Sequence, residues 1–180
     1  MKIMLTGATG FIGKSLVFEL LQQNFNVSIA VRQKTNLFPC KVKQFVVGDF
    51  GDNPDFSASL AKVDCVIHLA GRAHVIDKIK TSELNGFRNI NRDLTLHLAK
   101  QAIDSGVKRF LFLSSIRVNG NQNNKPFLET DTPNPQESYA ISKYEAEQDL
   151  MQLSQDTGLE VVIIRPPLVY GYGAPGNFGR

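Results

Sequence analysis

The chain has 180 residues, of which 42% are hydrophobic and 21% charged, so it can bury one sizeable core. Its formal net charge of +3 comes from 20 basic and 17 acidic residues scattered along the chain, which argues against nucleic acid as a partner. The N-terminal apolar stretch is too short for a signal peptide or a membrane span, so we expect a soluble cytoplasmic protein without a membrane partner.

Short apolar runs alternate along the chain with longer segments of helical period, which is the pattern of repeated βαβ units. The apolar runs predict strands at 2–6, 26–32, 43–48, 64–70, 108–115 and 159–165. The segments between them predict helices near 11–24, 54–62, 83–106 and 137–157. The predicted fold class is therefore α/β, with a doubly wound parallel sheet of the Rossmann type over residues 1–167.

The cysteines and histidines give no sign of a disulfide framework or a metal site. Cys40 and Cys65 lie far apart without a CxxC motif, so both thiols are expected to stay reduced. Cys65 and His68 belong to an apolar strand and are expected to pack in the core. No metal-ligand spacing links the three histidines, His68, His74 and His97.

A glycine-rich turn joins the first predicted strand to the first helix. Gly7, Gly10 and Gly13 have GxxGxxG spacing in GATGFIG, which allows a tight turn, close approach of a pyrophosphate and close helix packing. The free N–H groups of the helix start, from Phe11, Ile12 and Gly13, would hold the diphosphate of a dinucleotide. A purely structural glycine turn is the alternative, but its position at the first strand–helix junction favours cofactor binding.

The end of the second predicted strand bears on the choice between NAD and NADP. An acidic residue usually holds the ribose hydroxyls of NAD there, whereas this chain has Arg32 with Lys34 close by. Arg32 can pair with the 2′-phosphate of NADP, and a solvated surface arginine is the alternative. After the third strand, Asp49 is a candidate to accept from the adenine amino group and Phe50 to lie against the ring, unless Asp49 is a turn residue. The predicted cofactor is NAD or NADP.

Three residues form the candidate catalytic set: Ser115 ends the fifth predicted strand, and Tyr139 and Lys143 lie where the last helix begins. The four-residue spacing places Tyr139 and Lys143 on one helix face, where the ammonium, together with an oxidised nicotinamide, can lower the phenol's pKa from about 10 toward neutrality. Tyr139 would then act as acid or base, while Ser115 would hydrogen-bond the reacting oxygen. An isolated YxxxK pair is often a surface pair, but this context favours catalysis. Tyr144 lacks a lysine four residues on, so the spacing selects Tyr139.

Several segments, taken in order, complete the pattern: GATGFIG (7–13), VVGDF (46–50), HLAG (68–71), Asn91 in NINRD, FLSSIRVNG (112–120), YAISKYEAE (139–147) and RPPLVYGYG (165–173). With them the chain resembles the extended short-chain dehydrogenases/reductases over essentially its whole length. Within that family it is most similar to the UDP-sugar 4-epimerase-like enzymes of bacterial surface-polysaccharide synthesis.

The resemblance implies further contacts with the cofactor. Asn91 would brace the catalytic strand, and Lys143 would also hold the nicotinamide ribose. Four more residues would line the cofactor: Leu69, Ala70, Gly71 and, near the nicotinamide, Pro166.

Two departures from the family pattern bear on substrate and cofactor. The galactose epimerases have a SATVYG-like stretch where this chain reads SIRVNG, with Arg117 and Asn119, and Arg32 replaces the acidic NAD-binding residue. The family continues into a smaller domain that clasps the nucleotide sugar, so we expect the chain to be a fragment. Residues 168–180 would begin that region, with Asn177 as a candidate uracil or phosphate contact.

Three functions follow as hypotheses. The first is 4-epimerisation of a UDP-hexose or UDP-N-acetylhexosamine with a bound cofactor that is regenerated in each cycle. The second uses the same residues for NADPH-dependent reduction of a 4-keto UDP-sugar. The third is a non-catalytic NAD(P)-binding sensor, against which the intact Ser-Tyr-Lys set argues. The resemblance also implies a homodimer formed through helices 83–106 and 137–157.

Overall fold

The computed structural model of the chain describes residues 1–73 and 80–174. Its strands are β1 (Lys2–Thr6), β2 (Asn26–Val31), β3 (Lys43–Val46), β4 (Cys65–His68), β5 (Arg109–Leu113) and β6 (Glu160–Ile164). All six pair in parallel in one sheet of order β3-β2-β1-β4-β5-β6. The predicted α/β fold with a doubly wound parallel sheet is confirmed.

Helices lie on both faces of this sheet. They are α1 (Phe11–Gln22), α2 (Ser57–Leu60), α3 (Lys80–Arg88), α4 (Leu94–Asp104) and α5 (Ser138–Thr157). A π-helical turn over Asn89–Asp93 joins α3 to α4, and a 3-10 turn over Ile116–Val118 follows β5. In the described part of the chain, no helix is long and apolar enough to cross a membrane.

The order of the strands places a crevice between β1 and β4. β2 and β3 are added on one side of β1, whereas β4, β5 and β6 are added on the other. In the register of the sheet, Leu5 lies between Ile29 of β2 and Ile67 of β4. The connections that leave the carboxyl ends of β1 and β4 therefore diverge, which opens the site where such sheets bind ligands.

Alternate residues of the central strands enter two separate cores. On one face, Met4 and Phe110 pack with the buried sides of α4 and α5. On the other face, Ile3 packs with Val17 of α1. Cys65 belongs to this second core and is 6% exposed, so the prediction that it packs inside is confirmed.

Two predicted helices differ from the observed ones. The segment 54–62 forms only the four-residue α2, because Ala61 turns to an extended ψ of 117° and Lys62 has a φ of +58°. The segment 83–106 is interrupted at the π-helical turn, where the Leu94 N–H bonds the Asn89 carbonyl five residues back. A π turn adds a residue to one helical turn, and the 3.6-residue period of apolar side chains does not reveal it.

The strands also end earlier than predicted at the edge that faces the crevice. β4 ends at His68, and the next residues, Leu69 and Ala70, line the cavity described below. β5 likewise ends at Leu113, before Ser114 and Ser115. Leu69 and Ala70 continued the apolar run of β4, and the two serines directly follow the run of β5, although the backbone leaves the sheet at both places.

Candidate active site

The turn after β1 is built from glycines that leave no room for side chains. Gly7 has a φ of +69°, and a Cβ atom there would lie 2.6 Å from the backbone nitrogen of Ala70. A Cβ atom on Gly13 would overlap the carbonyl oxygen of Gly7, so α1 packs directly on the turn. Gly10 closes the turn by donating its N–H to Gly7 O at 3.0 Å. The backbone itself therefore forms the surface of this part of the site.

The start of α1 presents backbone N–H groups toward this turn. Gly10 is the N-cap residue, and no side chain caps the helix. The first bond within the helix runs from Lys14 N to Gly10 O at 3.0 Å, which leaves the N–H groups of Phe11, Ile12 and Gly13 without helical partners. Such a helix end suits an anionic group, because its dipole is positive there and its amides can donate.

A cavity of about 510 Å³ lies over the crevice at the carboxyl ends of β1, β2 and β4. Its volume falls in the usual range for small-molecule and cofactor sites, roughly 300–1,000 Å³. The predicted cofactor residues that line it are Gly7, Gly10, Arg32, Asp49, Phe50, Leu69, Ala70 and Gly71. The sequence analysis did not single out Arg72 or Ile90, which also line it.

The other predicted cofactor residues do not line this cavity: Phe11, Ile12, Gly13, Asn91 and Pro166. Gly13 serves the packing of α1 against the turn, and the carbonyl oxygen of Pro166 accepts from Ile116 N at 3.0 Å beside the 3-10 turn. Direct contact of these residues with a cofactor stays a prediction. Asn177 and His74 lie outside the described residues.

The end of the cavity beside β2 and β3 carries the residues from which the sequence analysis argued the choice between NAD and NADP. Arg32 follows β2 and is exposed, with its side chain at the cavity wall. Asp49 accepts from the N–H of Gly51 at 2.8 Å, so it is a turn residue that also lines the cavity. The Phe50 ring packs against Phe56 with centroids 6.1 Å apart. The structure thus places a cation, and not a carboxylate, at the end of β2.

The structure brings Ser115 and Tyr139 together. Ser115 starts the 3-10 turn, where its hydroxyl oxygen accepts from Arg117 N at 3.3 Å. The ring of Tyr139 packs edge-on against the ring of Phe87, with centroids 6.0 Å apart. Burial raises the pKa of Tyr139, while its hydrogen bond with Ser115 and the nearby charge of Arg117 act in the opposite direction. The phenol therefore lies within reach of the strand-end hydroxyl, and the catalytic role of the two residues stays a prediction.

Lys143 lies deeper than the phenol and is almost fully buried. Its Nζ donates to Leu113 O at 2.9 Å and lies 4.5 Å from the centroid of the Phe112 ring. A Cβ atom on Gly71 would be 3.1 Å from this Nζ, so the ammonium reaches the cavity wall. Burial lowers the pKa of Lys143 to about 7, and the charge of Glu147 opposes that shift.

The predicted drop of the phenol's pKa toward neutrality stays a prediction, because it needs the charge of an oxidised nicotinamide as well as that of Lys143. In the chain itself, burial raises the pKa of Tyr139, and the cation that lowers it is Arg117. The Nζ of Lys143 donates instead to the carbonyl of Leu113. Sequence spacing shows that two residues share a helix face, but it does not show where a long side chain ends.

Asn91 braces different partners from those that the sequence predicted. Its amide does not hold β5; its Oδ1 accepts from Arg72 N at 2.8 Å and its Nδ2 donates to Arg72 O at 3.0 Å. Nδ2 also donates to Ser142 Oγ at 3.0 Å, and that hydroxyl donates to Tyr139 O at 2.7 Å. Asn91 therefore ties the segment after β4 to the first turn of α5.

Glu147 is a site residue that the sequence analysis missed. It is 3% exposed and accepts three hydrogen bonds from Arg165, at 2.5 to 3.2 Å. Arg165 also donates to Asn119 Oδ1 at 3.0 Å. The available signal was spacing, because Glu147 lies one helical turn beyond Lys143 on the same face. Across residues 1–73 and 80–174, no group of three or more His, Cys, Asp or Glu side chains is placed to hold a metal ion.

Comparison with known proteins assigns this arrangement to a family. Residues 3–180 match the model of the NAD dependent epimerase/dehydratase family. The chain belongs to this family. It is 46% identical over 179 residues to a UDP-glucose 4-epimerase of Vibrio cholerae, which covers 98% of this chain and 54% of that protein.

Solved structures of family enzymes share the fold. The UDP-glucose 4-epimerase of Thermotoga maritima with UDP-glucose superposes with a TM-score of 0.78 at 28% identity, over 92% of this chain and 55% of that one. The UDP-glucose 4-epimerase of Thermus thermophilus in complex with NAD gives 0.77 at 26% identity, over 92% and 54% of the two chains. The chain thus spans about half the length of the relatives it matches.

Proposed function

We propose that this chain carries the cofactor-binding and acid–base half of a nucleotide-sugar 4-epimerase that uses NAD or NADP. Its proposed substrate is a UDP-hexose or a UDP-N-acetylhexosamine for the synthesis of surface polysaccharides. Similarity to the Vibrio cholerae UDP-glucose 4-epimerase supports the reaction class. The observation that carries the proposal is that the phenol of Tyr139 lies beside the Ser115 hydroxyl, at the carboxyl edge of the sheet where the cavity lies.

The residues around the cavity fit a dinucleotide. Gly7 lets the turn pack against the backbone of Leu69 and Ala70 at the cavity wall, and the uncapped start of α1 offers amides to a diphosphate. Lys143, whose Nζ reaches the wall at Gly71, would hold the nicotinamide ribose. The bound nicotinamide would supply hydride chemistry at C4 of the sugar, which this chain's own side chains cannot provide.

Tyr139 is the proposed acid and base for the sugar's 4-hydroxyl group. Its phenolate oxygen would remove the hydroxyl proton during oxidation and return it to the same oxygen during reduction of the 4-keto sugar. Ser115 would hold that oxygen by a hydrogen bond and fix its distance from the phenol. Because burial raises the pKa of Tyr139, the base form depends on opposing effects, of which the structure contains the Ser115 hydrogen bond and the Arg117 charge.

A second candidate function is the NADPH-dependent reduction of a 4-keto UDP-sugar. It is favoured by Arg32, which lines the adenosine side of the cavity where NAD enzymes usually carry an acidic residue. Tyr139 would then act only as the acid that protonates the new hydroxyl group. The two functions differ in whether reduced cofactor is consumed.

One experiment on the full-length protein separates these functions. UDP-glucose and UDP-N-acetylglucosamine are incubated with the enzyme and catalytic NAD, without reductant, and the products are analysed for the C4 epimer. Epimer formation, with a loss of roughly 10²–10⁴-fold in the Tyr139→Phe variant, is the expected result. Stoichiometric loss of NADPH absorbance with a 4-keto UDP-sugar would assign the reductase instead. Cofactor binding without either turnover would leave a sensor.

We further propose that the protein forms a homodimer through the helical layer of α3, α4 and α5. Two ion pairs tie this layer together, Arg88 with Glu145 at 2.5 Å and Arg92 with Asp149 at 2.6 Å, so α3 and α5 form one rigid surface. Sedimentation velocity of the full-length protein tests the proposal. A dimer is expected at micromolar concentration, and a monomer would refute it.

A further inference from the structure

His68, which the proposed mechanism does not use, is fully buried at the end of β4 with both ring nitrogens hydrogen-bonded. Nδ1 lies 2.6 Å from Thr6 Oγ1, and Nε2 lies 3.0 Å from Thr95 Oγ1. The ring of Phe112 stacks on the imidazole at a centroid distance of 6.0 Å and an interplanar angle of 16°. The imidazole is therefore held in one orientation between β1 and α4.

The hydroxyl partners decide which nitrogen carries the proton. Thr95 uses its only hydroxyl proton to donate to Asn91 O at 2.8 Å, so its oxygen must accept from His68 Nε2–H. Nδ1 is then unprotonated and accepts from the Thr6 hydroxyl. The Thr6 oxygen in turn accepts the N–H of Ala70 at 3.3 Å. Every hydrogen bond in the series runs in one consistent direction.

The imidazolium form is disfavoured at this position. Burial, aided by the charge of Lys143, lowers the pKa of His68 to about 3. The groups packed around the ring are two threonine hydroxyls and two phenylalanine rings, and no carboxylate is in contact with it among the described residues. The neutral Nε2–H tautomer thus persists throughout the pH range in which enzymes of this kind work.

The two ends of this series reach the two halves of the site. One end is Thr6, which immediately precedes Gly7, together with the Ala70 amide at the cavity wall. The other end is Asn91, in the π-helical turn. The Asn91 side chain continues through Ser142 Oγ to the carbonyl of Tyr139, in the first turn of α5.

We propose that His68, fixed as the Nε2–H tautomer, is a positioning residue that sets the spacing between the cofactor-binding turn after β1 and the π-helical turn that braces Tyr139. The expected effect on turnover rests on the proposed function, whereas the tautomer and the spacing of the two turns do not. Loss of the acceptor at Thr95 leaves the imidazole N–H without a partner, so the ring and the Asn91 backbone shift together. Cofactor affinity and turnover then fall together, although neither His68 nor Thr95 lines the cavity.

The tautomer itself is tested on the full-length protein labelled with ¹⁵N-histidine. Long-range proton–nitrogen correlation spectra distinguish Nδ1–H, Nε2–H and imidazolium forms. We expect His68 to remain Nε2–H, without titration, from about pH 5 to about pH 8, the interval in which an ordinary histidine titrates. An Nδ1–H tautomer, or titration close to the ordinary value, would overturn the proposal.

The positioning role is tested with Thr95→Val, which removes the hydroxyl group at nearly constant shape. The readouts are the Kd for NAD, measured by fluorescence, and kcat and KM for the sugar nucleotide. We expect a rise in Kd and a fall in kcat of roughly tenfold each, with KM for the sugar little changed, as expected for lost alignment. Thr95→Ser, which keeps the hydroxyl, should restore both values to within about twofold.

Ser59→Ala is the matched control for the loss of a buried hydroxyl. Ser59 is 1% exposed and donates to Phe56 O at 2.7 Å, in α2 and away from the site. A Kd and kcat for Thr95→Val no worse than those of Ser59→Ala would overturn the positioning role. If the wild-type protein lacks epimerase and reductase turnover while the tautomer and the NAD affinities behave as stated, the proposed function fails and the positioning role stands.

Discussion

The proposed site residue Lys143 lowers the stability of the fold, because its ammonium is buried against the ring of Phe112. Its pKa falls to about 7 in the folded chain from an ordinary value of 10.5. As pH falls through that interval, the unfolded chain takes up a proton before the folded one does, so folding is weakened by at most about 1.4 kcal/mol per pH unit. The stability that the neutral amine allows at high pH is thus lost on approaching pH 7.

We therefore expect Lys143→Met to abolish turnover and to raise the free energy of unfolding at pH 7 by roughly 1–3 kcal/mol, since an apolar side chain replaces a buried charge. The gain should shrink as pH rises from about 7 toward 10.5, because the folded wild-type amine is then neutral while the unfolded one is still protonated. Urea unfolding at several pH values measures it. Lys100→Met, at an exposed position of α4, is the control and should change stability little. A less stable Lys143→Met protein at pH 7 would contradict this account.

Ser115 and its neighbour Ser114 offer a matched pair at the end of β5. The Ser115 hydroxyl bonds Tyr139 and lowers its pKa, whereas Ser114 Oγ is buried without a hydrogen-bond partner in the described part of the chain. We expect Ser115→Ala to lower kcat by roughly 10²-fold and to move the acidic limb of the pH–rate profile, which reports deprotonation of Tyr139, to higher pH. Ser114→Ala should leave both unchanged. Equal effects of the two substitutions would show that Ser115 acts only through packing.

Glycines in two helices predict opposite results for the same substitution. A Cβ atom on Gly13 of α1 would overlap the Gly7 carbonyl, whereas one on Gly86 of α3 would meet only the end of Arg72, at 3.8 Å. Gly13→Ala should therefore cost about 2–4 kcal/mol of stability and destroy cofactor binding, because α1 is pushed from the turn. Gly86→Ala should gain about 0.5–1 kcal/mol from helix propensity. Thermal unfolding with and without NAD measures both effects, and a stable Gly13→Ala protein that binds NAD would refute the argument.

At the scale of elements, the sequence predicted those helices, strands and turns that depend on neighbouring residues alone. The strands, α1, α5 and the glycine turn follow from apolar periodicity and from the positions where only glycine fits. The π-helical turn could not be predicted in this way. It places the buried Asn91 side chain where it bonds Arg72 and Ser142, and both of these residues lie far from it in sequence. The direction of Lys143 is a tertiary result for the same reason, since Leu113 lies thirty residues away.

At the scale of the whole molecule, the described helices leave part of one face of the sheet uncovered. α1 packs over the half of the sheet that contains β1 and β2, on the face of Ile3 and Val27. Leu111 of β5 lies on this same face, and its register partner in β6 is Val162. Val162 is 39% exposed and Ile164 41% exposed, although both belong to a parallel sheet, a type that is normally covered on both faces. Val162 and Ile164 thus form an apolar surface on β6 that the described helices do not cover.

We expect this surface to bind hydrophobic dyes in the 180-residue chain. The double substitution Val162→Thr and Ile164→Thr keeps β-branched side chains, so the strand should persist and stability should change by no more than about 1 kcal/mol. ANS emission and the self-associated fraction in sedimentation should both fall, because a contiguous apolar patch is what such dyes and other chains bind. Leu37→Thr is the control, since Leu37 is 46% exposed but lies in the loop between β2 and β3. If the control lowered ANS emission as much as the double substitution does, exposure of single side chains, and not the open face of β5 and β6, would account for the binding.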